Sequence, residues 1–337
     1  MKNTVNNLFT IVHPYSNPNK DFSITLNYPL WINDDVQTTK VEVKRAILEI
    51  VDIYSNPILA YSGGTDSSFT LCCIRDLVRE KKLKLDTIEI VQGVFKANDF
   101  PLTMDTKRAT SFARKLGFEP RIYELDVNKR CLEAQQFFYD FCLSGYTAID
   151  DIFQTIWASD QDGHVIRSSN FPRDYRFGFN YSCDTFKIST INTLWDLPNN
   201  QVNISTWDNK VFSSFITPYR LLAPNIDKSP FEDVDKHESR KPTNSRFDKD
   251  GMALLEKYLD KWMIYLQCYP EMTEILGKFY TIDWSIWSLR QKEFMGSKYI
   301  KDFLDFQKKS EYKFAEIKFP DGRPLTKKDL VNYEQYF

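Results

Sequence analysis

Short apolar runs alternate with amphipathic stretches through the first half of the chain. Phe22, Ile24 and Leu26 fall at every second position, as on a half-covered strand, and turn residues follow at 27–29 and 33–35. Over 39–54, Val43, Ala46, Ile47 and Ile50 share one side of a helix. After Asn56-Pro57 comes Ile58-Leu59-Ala60-Tyr61, a continuous apolar run suited to a buried parallel strand. Leu71, Ile74, Leu77 and Val78 give a helical face over 66–81, and 87–95 reads as a second strand. A helix over 103–116 stops at Gly117, and 121–125 is a third strand. Asn128 can cap a long helix running through Phe141, a further helix covers 148–159, and 164–168 is a fourth strand. This alternation predicts an α/β fold, a doubly wound parallel sheet with ligands beyond the carboxyl ends of its strands.

Beyond about residue 175 the alternation fails. Residues 201–207 and 210–216 read as a hairpin turning at Asp208-Asn209. The stretch 223–250, rich in Pro, Asp, Lys, Arg and Ser, reads as a long loop or lid. From Asp250 the pattern is helical, with Leu255, Tyr258, Leu259, Trp262, Met263 and Leu266 in a stripe ending before Pro270. The expected organisation is an appendage at 1–38, an α/β domain at 39–175, a hairpin and lid at 176–250, and a mainly helical C-terminal region at 251–337.

Composition narrows this little. The 337 residues are 42% hydrophobic and 27% charged, an ordinary globular balance with ample length for a core. A net charge of −2 gives no global attraction to nucleic acid. No apolar run reaches membrane-span length and the N-terminus lacks a signal-peptide core, so no membrane association and a cytoplasmic location are expected. The six cysteines never form Cys-x-x-Cys, which points away from a zinc knuckle or disulfide framework. Cys72 and Cys73 suit packing as small buried hydrophobes, and three scattered histidines make a histidine metal site a poor expectation.

The chemistry is concentrated where the first apolar run ends, in Ser62-Gly63-Gly64-Thr65-Asp66-Ser67-Ser68. Two glycines let the main chain approach an anion closely. Four hydroxyls can donate to it, and a helix opening here turns its free amides to the same point. Asp66 would be repelled by bare phosphate, so it implies a bridging Mg²⁺ or a helix cap. Ser-Gly-Gly alone is an ordinary loop, and Asp66 or Ser67 also makes a good N-cap without any ligand. It is the whole pattern of strand, Ser-Gly-Gly-x-Asp-Ser and amphipathic helix that points to polyphosphate. It is not a Walker loop, because Gly-x-x-x-x-Gly-Lys is absent.

This pattern resembles the PP-loop signature of the N-type ATP pyrophosphatases, whose members include asparagine synthetase, GMP and NAD synthetases, queuosine-precursor synthases and tRNA-modifying ligases. The resemblance covers roughly residues 45–170 and implies a Rossmann-like fold that splits ATP to AMP and pyrophosphate. It implies that Ser62, Gly63, Gly64, Thr65, Asp66, Ser67 and Ser68 bind the β- and γ-phosphates, with Asp66 near Mg²⁺. Ala60 and Tyr61 would border the nucleotide, although Tyr61 equally suits packing. Val94, Phe95 and Lys96 would hold adenine through main-chain groups, with core packing an even alternative for Phe95. Arg167 and Arg173, in a polar cluster after the fourth strand, are expected to hold phosphate or an anionic substrate. Lys187, Arg240, Lys241 and Arg246 are weaker candidates, and Lys107 and Arg108 suit a solvated helix surface.

Departures leave the subfamily open. Residues 168–171 carry neither the glycines nor the paired acids that asparagine synthetase has after its fourth strand. Residue 2 is Lys rather than a glutaminase cysteine, so ammonia would be free or come from a partner. The zinc cysteines of queuosine-precursor synthases and the cysteine pairs of iron–sulfur tRNA thiolases are missing. The leading expectation is an asparagine synthetase-like ligase that adenylates a small-molecule carboxylate or carbonyl and forms a C–N bond. The alternatives are a base-modifying enzyme acting on tRNA, supported by the aromatic, basic-studded C-terminal region, and a catalytically silent nucleotide binder.

Overall fold

The apolar run before the double glycine becomes the middle strand of a parallel sheet. The computed structural model describes residues 9–12, 23–26, 36–97, 100–101, 106–134, 149–168, 200–204, 207–208, 210–211, 214–215, 261–275, 298, 301–302, 305 and 316–318. In chain order the elements are β1 (Phe9–Val12), β2 (Ser23–Leu26), α1 (Thr39–Ile53), β3 (Pro57–Ala60) and α2 (Thr65–Arg79). Then come β4 (Glu89–Ala97), β5 (Phe100–Pro101), α3 (Thr106–Lys115), β6 (Arg121–Asp126) and α4 (Ile149–Ser159). The last are β7 (His164–Arg167), β8 (Gln201–Asn203), α5 (Lys261–Cys268), a 3₁₀ turn at Pro270–Met272, and β9 (Glu316–Lys318).

The main sheet has the parallel order β6-β4-β3-β7-β8, and β5 adds a short antiparallel pair at the end of β4. From β3 the chain steps outward to β4 and β6, then returns through α4 to β7 on the opposite side of β3. The winding direction therefore reverses between β3 and β7, which makes their carboxyl ends the switch point of a doubly wound sheet. Leu59, Tyr61, Ile90 and Ile166 join a core built with residues of α1, α2, α3 and α5. Phe153, Ile156 and Trp157 of α4 are buried on the other face. The α/β expectation holds.

Several elements differ from the sequence reading. Residues 201–203 pair in parallel with β7 rather than forming a hairpin arm, and 210–211 and 214–215 are helical. The reason is visible in the spacing: Trp207, Val211 and Phe215, all buried, recur every fourth residue. Asp208, expected in a turn, accepts the Val211 amide at 2.9 Å and so starts the helical segment. Likewise Asp126, not Asn128, accepts the amides that open the next helical stretch. Of the strand expected over 22–26, Ser23–Leu26 is present, but β1 and β9 complete its sheet, and β9 lies inside the region expected to be helical. The expected lid at 223–250, the helix through Phe141 and most of the C-terminal stripe lie outside the described residues.

Residues 261–275 share the α/β core. Ile264, Tyr265, Tyr269, Met272 and Ile275 are buried in it, while Leu266 of the expected stripe is only partly covered. The Tyr269 hydroxyl donates to Asp76 at 3.1 Å, and Lys40 stands 4.4 Å over its ring. Arg75 pairs with Glu271, Lys115 with Glu274, and Arg108 donates to the Ile275 carbonyl at 3.1 Å. Arg108 is thus buried and bonded, not on the solvated surface expected for it; Lys107 is exposed.

Cys72 and Cys73 are free and fully buried, as expected. Burial pushes the Cys72 thiol up to about 12 and Cys73 well above its ordinary value. The thiolate is the reactive form, so both should resist alkylation at pH 8 in the native protein and react only after unfolding. Peptide mapping after iodoacetamide treatment checks this. Burial also works to raise Asp76, but hydrogen bonds from Lys40 and Arg75 outweigh it and hold the carboxyl below its ordinary 3.8. A depressed folded value stabilises above 3.8 and is lost as pH falls through the folded value. Asp76→Asn should therefore lower the melting temperature at pH 7, with the gap to wild type closing as both are acidified through the folded value of Asp76, below 3.8.

Candidate nucleotide site

At the end of β3 the Tyr61 amide makes one last ladder bond, to the Val91 carbonyl at 2.9 Å. The chain then bends through Ser62-Gly63-Gly64 into α2. Gly63 has φ +73°, a left-handed conformation open chiefly to glycine. A Cβ on Gly63 would lie 2.2 Å from the Cβ of Ala109, so α3 presses directly against the bend. No other residue satisfies both demands.

The loop's hydroxyls mostly shape the loop itself. The Ser67 hydroxyl lies 3.1 Å from that of Ser62, accepts the Ser62 amide at 3.3 Å and donates to the Gly64 carbonyl at 3.3 Å. Ser62 Oγ accepts the Gly64 amide at 3.2 Å. The N-cap of α2 is Gly64, and no side chain caps the helix. The first-turn amides of Thr65, Asp66 and Ser67 have no intrahelical acceptor and carry the helix's positive end. They face the switch point. Asp66 is the acid of that first turn; its Oδ1 accepts from the Tyr265 hydroxyl at 2.8 Å and from Thr65 Oγ1 at 3.3 Å.

Two expected contacts do not fit this geometry. Ser68 is fully buried beneath the helix, too deep to reach a phosphate. Tyr61 is 1% exposed and donates its hydroxyl to the Ala109 carbonyl at 3.0 Å. Burial pushes that phenol up to about 12, opposed by the neighbouring Ser68 hydroxyl. Its side chain packs under α3, so only its main chain borders the loop. Ala60 is half-buried on the opposite face of β3.

The second strand extends past β3, which ends its pairing at Ala60↔Val91. Backbone groups alternate sides along a strand. The Val91 carbonyl faces β3 and the Lys96 carbonyl faces β6, where it takes the Val127 amide at 2.9 Å. By the same alternation, Gly93 and Phe95 turn their main chain to the β3 side, while Val94 and Lys96 turn theirs to β6. No described strand covers Gly93 to Phe95 on the β3 side, between Tyr61 and β5. The open main-chain edge belongs to Gly93 and Phe95, so Val94 and Lys96 are not available for a main-chain contact there. The Lys96 ammonium pairs with Glu124 at 2.6 Å. The indole of Trp157 lies against Gly93 on the α4 face, with Nε1 buried and without a hydrogen-bond partner. Counting alternation from Val91 would have found Gly93; nothing local in the sequence signals Trp157 or Tyr265.

Arg167 lies one residue beyond the Leu59↔Ile166 pair, level with Ala60. It is 5% exposed and donates to Gln154 of α4 at 3.0 Å. Its guanidinium is thus beside the switch point but held against α4. Arg173, Lys187, Arg240, Lys241 and Arg246 lie outside the described residues.

Among the described residues no cluster of three or more His, Cys, Asp or Glu could hold a metal. Asp66 alone fits Mg²⁺ in another way, since that ion is commonly held by one or two carboxylates plus substrate phosphates and waters. No helix among the described residues is long and apolar enough to cross a membrane.

No known family profile matches the chain, and comparison with curated proteins finds no relative. Solved structures similar to it include NMN synthetase from Francisella tularensis, at 12% identity and a TM-score of 0.29 over 54% of this chain and 71% of that one. Another is the U34-tRNA thiolase NcsA from Methanococcus maripaludis with its 4Fe-4S cluster, at 12% identity and 0.31 over 70% and 80%. A third is glutamine-dependent NAD+ synthetase from Acinetobacter baumannii in complex with ADP, at 14% and 0.30 over 76% and 50%. Values this low say nothing about substrate.

The bend makes a direct prediction. Gly63→Ala should cost about 1–3 kcal/mol from its backbone conformation alone, with the overlap against Ala109 adding to that. A fall in melting temperature measures the cost, and Gly117→Ala, whose Cβ meets nothing within 4 Å although its φ is +92°, is the control for backbone strain without overlap.

Proposed function

We propose that this protein binds ATP at the switch point between β3 and β7 and cleaves it to AMP and pyrophosphate, adenylating an acceptor. The observation that supports this best is the placement of Ser62–Ser67. A glycine bend, an uncapped helix start and one carboxylate meet where a doubly wound sheet opens its crevice. The PP-loop resemblance of the same residues supplies the reaction.

In this reading the amides of α2's first turn, that of Thr65 included, hold the β- and γ-phosphates with the Ser62 hydroxyl. Gly93 and Phe95 offer a carbonyl and an amide to the edge of adenine, a pattern that reads its amino group and ring nitrogen. Asp66 would hold Mg²⁺, which when bound neutralises charge developing on pyrophosphate. Attack by a carboxylate or carbonyl oxygen on the α-phosphorus forms the adenylate and expels pyrophosphate, and an amine or ammonia then displaces AMP. The chain's contribution is positioning and preorganised N–H donors, with no covalent nucleophile required. Arg167 stands where it could meet the anionic acceptor, provided Gln154 releases or shares it. We favour C–N bond formation on a small molecule, with free ammonia or a partner as nitrogen source, in the cytoplasm.

Incubation with ATP and Mg²⁺ across pools of small carboxylates, ammonia and tRNA, with nucleotide products separated, tests this. AMP and pyrophosphate are expected, and ammonia-dependent turnover with a metabolite pool marks the amide-forming reaction. Dependence on tRNA instead would identify the base-modifying alternative. ADP as the sole product would contradict adenylation, and binding without turnover would mark a silent nucleotide binder. Asp66→Ala should abolish pyrophosphate release while the protein stays folded by circular dichroism.

A further inference from the structure

We infer that Tyr265 is a positioning residue for Asp66, so that α5, from the far end of the chain, is part of the nucleotide and metal site. This rests on the reading above that Asp66 meets the metal–phosphate group. The two residues are 199 positions apart in sequence, yet the Tyr265 hydroxyl donates to Asp66 Oδ1 at 2.8 Å.

The hydroxyl has little freedom. Tyr265 is fully buried, stacked on Phe69 with ring centroids 4.4 Å apart at 25°, and met edge-on by Phe215 at 6.3 Å and 88°. Stacking alone would be served by phenylalanine. A hydroxyl carried into a fully buried position costs free energy unless it is bonded, and here its acceptor is the acid of α2's first turn. Phe69 lies on the same helix one turn beyond Asp66, so the stack sets both partners of the bond relative to one frame. Further along, Tyr269 on Asp76, Glu271 on Arg75 and the Ile275 carbonyl under Arg108 fix α5 and the turn after it. The Thr65 hydroxyl meets the same carboxylate oxygen at 3.3 Å. Two bonds on one oxygen hold the plane of the carboxylate, which is what partners behind a metal ligand do.

The test is Tyr265→Phe, which keeps the ring stack and removes only the hydroxyl. Calorimetry measures affinity for a non-hydrolysable ATP analogue with and without Mn²⁺, and the readout is the gain that the metal confers. Wild type should show a gain; Tyr265→Phe should lose about tenfold of it, in the range typical for partners behind metal ligands. Its metal-free affinity and melting temperature should stay close to wild type. Asp66→Asn should lose the gain as well. If Tyr265→Phe keeps the full gain while Asp66→Asn loses it, positioning is overturned and the Asp66 assignment stands. A loss of metal-free affinity equal to the loss with metal would show a merely structural role and also overturn it. If wild type binds no analogue, the nucleotide reading itself falls, and this inference with it.

Discussion

Everything at the candidate site depends on β3 having a parallel partner on each side. Its register with β4 (Leu59↔Ile90) and with β7 (Leu59↔Ile166) places it between the two directions of winding. A glycine bend at the end of an edge strand would open onto solvent on one side. At the end of this strand it opens into a crevice walled by the prolongation of β4 on one side and by Arg167 on the other. The long β4, 9 residues against 4 in β3, is what creates that wall. Its Gly93 and Phe95 main chain has no strand partner on that side among the described residues, because β3 has already turned away into the loop.

The second constraint is the pressure of helices on the bend. α3 touches Gly63 through Ala109 and receives the Tyr61 hydroxyl on the same residue's carbonyl. α5 holds Asp66 from the other direction. A loop bounded in this way needs no large hydrophobic anchor of its own, and its serines close it by short local hydrogen bonds. The half-buried ionic cluster of Lys40, Arg75, Asp76 and Glu271 then fastens the turn after α5 along α2, with the Tyr269 ring beside it. Partial burial gives such a cluster some desolvation cost, which the pairing of each of its charges offsets.

Local pattern carried the sheet well and the long-range contacts poorly. The apolar run at Ile58–Tyr61, the helical faces of α1 and α2 and the stop at Gly117 were all legible, because each depends on neighbours within a few residues. Gly117 ends α3 as expected, with the Phe118 amide reaching back to the Ala113 carbonyl. The hairpin at 201–216 was misread because Val202, Ile204, Trp207, Val211 and Phe215 fit a period of two at first and four afterwards. Arg108 reads as a surface cation by its residue type, although it stands one turn before Phe112 on the buried side of α3, and its bond to the Ile275 carbonyl has no local signal. Tyr265 is the extreme case, since its partner lies across most of the chain and an aromatic in an apolar stripe has no distinguishing mark. The signature residues were legible as a group, but their division of labour was not.

That division narrows what would recognise phosphate in the proposed reading. Tyr61 and Ser68 are inside the protein, and Ser67 ties Ser62 to Gly64. The groups left to meet an anion are chiefly backbone amides at the start of α2, with the Ser62 hydroxyl beside them. Amides cannot be altered by changing a side chain, whereas the bend that aims them can. In the proposed reading the glycines, rather than the hydroxyl residues, would therefore carry the specificity of the loop for a closely approaching anion. Asp66 adds the one negative charge, which the free amides of the first turn favour by themselves and which, in the proposed reading, a cation accompanying the phosphate would offset. A helix start facing an uncapped crevice gains from a nearby carboxylate, but a simple cap would sit at the N-cap position, where this chain has Gly64. Placing the acid two residues later puts it among the free first-turn amides, and the buried Tyr265 hydroxyl holds it there, which suits the metal role proposed above.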